Sequence, residues 1–132
     1  NEPFMFYIKT DDAEAAMAYL FGAADLSHLI ILRDSRKVYC IPKSLNKGAA
    51  LRRYKQRFGI ECAMAAGDSQ FDIAMLEEAD LCFCPSELSG KFIAKGEKKV
   101  CGGVFSDAVC RELAAVIDDG KAPKKLYKKK YM

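Results

Sequence analysis

A chain of 132 residues, 51% hydrophobic and 30% charged, has material for one modest core with a small appended subdomain and reads as a soluble globular protein. No apolar run approaches the roughly 20 residues of a membrane span, and the first residues lack the charged-then-apolar layout of a secretory signal, so no membrane contact and a cytoplasmic location are expected. The net charge of +3 comes from residues 121–132, KAPKKLYKKKYM, whose six lysines leave −3 on the remainder; the body therefore lacks the basic face that nucleic-acid binding requires, and the tail reads as a solvated terminus or a contact for an acidic partner.

In chain order, FMFYIKT (Phe4 to Thr10) has the composition of a strand, and Asp11 or Asp12 can cap a helix from Ala13 to about Ala24. LIILRDSRKVYCIP places two apolar runs around a short polar turn, which predicts a hairpin of residues 29–33 and 37–41 ended by Pro42. From Asn46, a candidate N-cap, Leu51, Tyr54 and Phe58 recur at helical spacing, and Gly59 marks the stop. ECAMAAGD then reads as a buried strand, Gln70 to Ala79 as a helix, LCFCP as a strand, Ser86 to Ala94 as a helix and KKVCG as a short strand. A last helix, Ser106 to Asp118, would turn Val109, Leu113, Val116 and Ile117 inward. Strands alternating with short helices imply an α/β fold with a parallel sheet.

Six cysteines (Cys40, Cys62, Cys82, Cys84, Cys101, Cys110) occur without a Cys-x-x-Cys pair and with one histidine, His28. That pattern fits reduced thiols used as small buried hydrophobes rather than disulfides or zinc.

The chemistry concentrates in AAGDSQFDIAML, residues 65–76. In parallel sheets ligands sit beyond the carboxyl ends of the strands, and the Asp68 turn lies at such an end. Gly67 lets the backbone pass closely, Asp68 projects from the strand tip, and Asp72 follows one helical turn on. Two converging carboxylates would suit magnesium, a hard ion that keeps waters and shares its shell with phosphate. The other reading is that Ser69 or Asp68 caps the following helix. Upstream, SLNKGAAL puts Lys47 at the mouth of a helix, where the backbone favours anions and where a solvated lysine would also be at home.

Taken together, NKGAAL and, 21 residues after Lys47, GDSQFDIAML resemble the third and fourth motifs of the haloacid dehalogenase-like superfamily, and among them the Cof-type phosphatases. The strand and Pro-containing tail of LCFCPSELSGKFIA fit the same pattern, and LIILRDSRKVYCIP looks like the end of that family's inserted cap. The resemblance spans about residues 29–117. It implies a partial Rossmann-like parallel sheet core with the remnant of an α+β cap: residues 1–42 as the end of the cap, 43–120 as the second half of the core, and 121–132 as a basic tail.

It also implies magnesium-dependent hydrolysis of small phosphorylated metabolites through an aspartyl-phosphate intermediate. By that likeness Asp68 is a metal ligand and catalytic, Asp72 a second metal-site carboxylate acting directly or through water, Lys47 the catalytic cation that also binds phosphoryl oxygens, and Ser69 a substrate-binding residue. Two departures stand out. The family's nucleophile motif, Asp-x-Asp on the first strand, is absent, and Phe71 stands where the relatives usually have Asn. With Asn1 rather than Met at the start, the chain is expected to be the C-terminal part of a phosphatase, inactive without its N-terminal half. Its Cys62–Ala66 strand would then lack a neighbour, so the chain is expected to self-associate through that sheet edge or to pair with the missing half. The competing reading is a non-catalytic magnesium- or anion-binding module that keeps the motif as scaffold.

Overall fold

The structure, a computed structural model, describes residues 5–23 and 25–118; the basic tail lies outside them. Two compact units divide the chain, Asn1–Asn46 and Lys47–Met132.

The first unit holds β1 (Phe6–Lys9), α1 (Ala13–Ala23), β2 (Leu29–Asp34) and β3 (Lys37–Pro42), followed by a 3-10 turn over Lys43–Leu45. β3 is central and antiparallel to both neighbours, with Phe6 opposite Cys40 on one side and Leu29 opposite Pro42 on the other. Its alternate residues Val38 and Cys40 are buried, the two-residue period of a strand covered on one face. Asp12 is the cap of α1: its Oδ1 accepts from the Ala15 amide at 2.9 Å. The hairpin closes through Ser35 and Arg36, and Ser35 takes the positive φ of 50° that tight hairpin turns demand.

The second unit runs α2 (Lys47–Phe58), β4 (Met64–Ala66), a 3-10 turn (Gln70–Asp72), α3 (Ile73–Glu78), β5 (Leu81–Pro85), α4 (Ser86–Ser89), β6 (Glu97–Cys101) and α5 (Phe105–Asp118). The three strands are parallel in the order β4-β5-β6, which leaves β4 at an edge. β5 reads LCFC because it is covered on both faces. Cys82 and Cys84 pack with Ala65, Leu76, Ala79, Leu88 and Phe92, while Leu81 and Phe83 pack with Cys101, Ala108 and Val116.

The entrance to β5 is tied on both sides. Asp80 Oδ2 accepts from the Ala63 amide at 2.9 Å and from Lys55 Nζ at 2.6 Å, and the Asp80 carbonyl accepts from the Glu97 amide at 3.0 Å. Gly96 is required there, since a Cβ would lie 2.1 Å from the Asp80 carbonyl oxygen. At the other end of α2, Gly59 (φ 61°) closes the helix as the spacing predicts, with the Ile60 amide returning to the Lys55 carbonyl at 2.9 Å.

Two local expectations are corrected, on α4 and on α5. The helix expected over Ser86 to Ala94 is the single turn of α4, stopped at Gly90, because Lys98 Nζ supplies donors to the Ser89 and Phe92 carbonyls that a longer helix would have bonded internally. In α5, Ala108 and Val116 face the core and Ile117 is 51% exposed, because one further residue rotates the side chain about 100° off the buried stripe. Tyr54 and Phe58, at helical spacing, lie on the outer face of α2, where their rings meet at a tilt of 48° with centroids 4.6 Å apart.

All six cysteines are free; five are buried and Cys110 is exposed on α5. Burial, with neighbouring Cys84 adding, pushes the Cys82 thiol up to about 11, so it stays protonated and packs as a hydrophobe. Among the described residues no helix is long and apolar enough to cross a membrane.

Two outcomes follow from this packing. Phe83, 2% exposed, should cost about 3–5 kcal/mol of stability when cut to Ala, whereas Tyr54→Ala, at a site 58% exposed, should cost under about 1 kcal/mol; urea titrations compare them. A disulfide reagent should label one thiol per native chain quickly, and Cys110→Ser should remove that fast phase.

Candidate active site

β4 ends in a loop that folds back on itself. The Gly67 amide still donates to the Phe83 carbonyl at 3.1 Å, so the sheet extends to the glycine before the chain turns. A Cβ on Gly67 would fall 2.4 Å from the Asp72 Cβ, so only glycine lets the 3-10 turn bring Asp72 back beneath the loop. Asp72 Oδ2 there accepts from the Asp68 amide at 3.1 Å, the Ser69 amide at 3.1 Å and the Ser69 hydroxyl at 3.0 Å.

The other oxygen faces α2. Lys47 Nζ donates to Asp72 Oδ1 at 2.5 Å. Lys47 reaches it because α2 and α3 meet backbone to backbone: a Cβ on Gly48 would sit 2.1 Å from the Ala74 carbonyl oxygen. The Asp72 side chain is 8% exposed and that of Lys47 is 57% exposed, so the ammonium is anchored from below and open above. Burial alone would raise the Asp72 pKa. The hydrogen bonds from Lys47 and Ser69, together with the Lys47 charge, outweigh that and hold the carboxyl below its ordinary range.

The structure thus brings Lys47, Asp68, Ser69 and Asp72 together, with different orientations. Asp68 is exposed, and its carboxylate accepts no hydrogen bond from the described residues. Ser69 turns both donors to Asp72 and leaves lone pairs, not protons, for a ligand. Phe71 is half-buried.

For magnesium, the donor set fits in part. Asp68 offers a hard, solvent-facing carboxylate, whereas both Asp72 oxygens are occupied by protein donors. No group of three or more His, Cys, Asp or Glu able to hold a metal occurs among the described residues. Sequence reasoning missed the inward turn of Asp72, although the Ser-x-x-Asp spacing of Ser69 and Asp72 is the pattern in which an acid reaches back to the start of its own helix. It also missed Gly48, whose role is visible only once the α2–α3 contact is known.

A family model described as haloacid dehalogenase-like hydrolase matches residues 4–94. No curated protein matches. Among solved structures, a protein of Eubacterium rectale is similar at 22% identity with a TM-score of 0.60, over 87% of this chain and 44% of that one. SMU.1108c from Streptococcus mutans UA159 is similar at 22% identity with a TM-score of 0.59, over 91% of this chain and 45% of that one. The chain spans less than half the length of either, and at this identity the likeness speaks for the fold alone.

The Asp72 cluster should shape the acid limb of stability. A carboxyl whose folded pKa lies below its unfolded value, about 3.9, contributes stability that is fully present above that value and is lost as pH falls through the folded pKa. Urea midpoints measured from about pH 7 down to pH 2 should fall less steeply in Asp72→Asn. In Lys47→Met the main charge partner is gone while burial remains, so the loss should begin at higher pH than in the natural chain.

Proposed function

Because this chain belongs to the haloacid dehalogenase-like hydrolases, we propose that it supplies part of the active site of a magnesium-dependent phosphatase acting on small phosphorylated metabolites through an aspartyl-phosphate intermediate. The observation that carries the reading is the joining of an open ammonium, Lys47, and a solvent-facing carboxylate, Asp68, through one buried carboxylate beyond the carboxyl end of a parallel strand. Phosphoryl transfer is accelerated mainly by positioned charge, so a fixed cation beside a metal-binding oxygen is the arrangement it needs.

In this reading Lys47 uses one N–H on Asp72 and directs its remaining protons to the phosphoryl oxygens. The amino end of α2, where Lys47 stands, adds the positive end of the helix dipole, which favours the same anion. Asp68 would hold magnesium, which when bound offsets negative charge at the phosphoryl group. Ser69 acts at one remove, by keeping the loop folded on Asp72, and its outward lone pairs suit a metal-bound water better than a phosphate oxygen.

The nucleophile belongs to sequence outside these 132 residues, since no Asp-x-Asp occurs among them. Its carboxylate oxygen would form a bond to phosphorus as the bond to the leaving oxygen breaks and that oxygen takes a proton; water then releases inorganic phosphate and restores the aspartate. The first 42 residues belong to the cap, in this reading, and residues 43–120 to the core. The outer edge of β4 is where the missing N-terminal half would add its strand; alone, the chain would be inactive and would self-associate there.

The test is the parent protein, this chain joined to the sequence encoded upstream, assayed on a panel of sugar phosphates and an aryl phosphate. Magnesium-dependent release of phosphate is expected, with Lys47→Ala and Asp68→Ala each lowering kcat by about 10²-fold or more and Phe71→Asn changing it little. Full rate in Lys47→Ala would remove that residue from the mechanism. No turnover by a parent that still binds magnesium would leave the non-catalytic module as the better reading.

A further inference from the structure

We propose that the outer face of α2 is a docking surface for an acidic amphipathic helix of a partner protein, one that sets carboxylates four residues apart beside an aliphatic row. That face lies opposite the side with which α2 meets α3 and the core, and its use needs nothing from the phosphatase reading.

At about 100° per residue, Gly48, Leu51 and Lys55 point one way, toward α3, the core and Asp80, and Ala50, Arg53, Tyr54 and Arg57 point the other. The outward set repeats at i, i+3, i+4 and i+7, the spacing of a helix side that packs against something. All four residues are exposed, and Phe58 stands beside them. Side chains four apart form ridges, so Ala50, Tyr54 and Phe58 make one ridge and Arg53 and Arg57 make the next. The two rings meet at 4.6 Å between centroids and give continuous apolar ground, while Ala50 lets a second helix approach closely.

Charge selects the occupant. α2 carries five cations and no acid, with three of the chain's six arginines. Lys47, Arg52 and Lys55 answer Asp72, Glu78 and Asp80. Arg57 forms no ion pair among the described residues, and Glu61, its nearest acid along the chain, lies beyond the stop at Gly59. Arginine and tyrosine are the residues in which interfaces concentrate binding energy, and a guanidinium takes a carboxylate through two parallel N–H groups. Two arginines one turn apart, about 6 Å along the axis, match carboxylates at the same interval on a second helix. A second copy laid on this face would set Arg53 and Arg57 against their own kind. A nucleic-acid strand needs rings open for stacking and a basic track; here the rings lean on each other at 48°, and the chain outside the lysine tail is net negative. A strand added beside β4 would extend the sheet on the inner side of α2 and leave the outer face clear.

The probe is a fluorescent, N-acetylated peptide of about fifteen residues, built as an amphipathic helix with Leu along one face and Glu at i and i+4 on its border. Anisotropy titrations with this chain should show saturable binding that weakens as salt rises. Tyr54→Ala and Arg57→Ala should each weaken it about tenfold or more, as should Gln for Glu in the peptide. In Arg57→Ala the Gln peptide should lose little further, since the pair is already broken. Both substitutions sit at exposed helix positions where Ala is well tolerated, and amide spectra of the nitrogen-15-labelled variants should match the unaltered chain outside α2. In the unaltered chain the peptide should move the amide signals of residues 50–58 and leave those of Cys82 to Cys84 in place.

Absence of binding overturns the proposal, as does binding that Tyr54→Ala and Arg57→Ala leave unchanged. Tighter, Tyr54-dependent binding of an oligothymidylate would give the face to nucleic acid instead, and dimerisation abolished by Tyr54→Ala would give it to a second copy. The parent protein, with its upstream sequence, should bind the peptide as this chain does; loss of binding there would mean that the N-terminal half covers the face, and would overturn the proposal as well.

Discussion

A carboxylate removed from water costs several kcal/mol unless donors replace its lost hydration, and the carboxyl end of β4 is organised around that requirement at Asp72. Its donors come from separate stretches of chain: the ammonium from the first residue of α2, the amides and hydroxyl from the loop after β4. Supplying them dictates further features. The loop must pass close, hence Gly67; α2 must lie against α3 without an intervening side chain, hence Gly48. An energetic demand on one buried group thereby becomes a constraint on helix placement, and helix placement sets where the exposed charge of the site stands.

The same helix is held at its other end by a second ion pair. Lys55 Nζ meets Asp80 at 2.6 Å, where Asp80 also receives the Ala63 amide at the entrance to β5. Lys47 and Lys55 are eight residues apart, about 12 Å along a helix, so α2 is pinned at both ends of the strand layer it covers. Between the pins its contacts are short: Gly48 and Ala49 are buried and Leu51 packs on the core that Leu76 and Cys82 build. Neither pair lies deep enough for its Coulomb energy to dominate stability. Their importance is geometric, since together they fix both the slide and the tilt of the helix.

What was legible in the sequence was what local patterning controls. LCFCP announced a strand, the apolar runs around Asp34 to Arg36 a hairpin, Asp11 or Asp12 a helix start and Gly59 a helix stop, and each signal is carried by residues close together in the chain. Lys47, Asp68, Ser69 and Asp72 were grouped by the resemblance of the motif pair to a known family, not by local patterning. Less legible was anything decided by a neighbour distant in sequence. Lys98 shortens α4 from nine residues away by taking carbonyls that a longer helix would have used. Tyr54 and Phe58 satisfy helical spacing yet face outward, because the side of α2 that meets α3 needs small residues rather than rings. The pairing of Asp72 with Lys47 belongs to this second class, since the lysine lies 25 residues upstream.

The two sheets differ in how far apart along the chain their partners lie, and the difference has a consequence in time. The β2–β3 hairpin closes through two residues, Ser35 and Arg36, so its partners are adjacent as soon as they are synthesised and pairing takes on the order of microseconds. The parallel pairs β4–β5 and β5–β6 require an intervening helix or loop to be laid down first, as Met64 opposite Leu81 and Leu81 opposite Glu97 illustrate. Non-local pairing is slower because the chain must close a loop before any contact rewards it. On an emerging polypeptide, the antiparallel unit can therefore reach its final shape while the strand that precedes Asp68 is still without a partner, and the Asp68 loop settles only once β5 has been made.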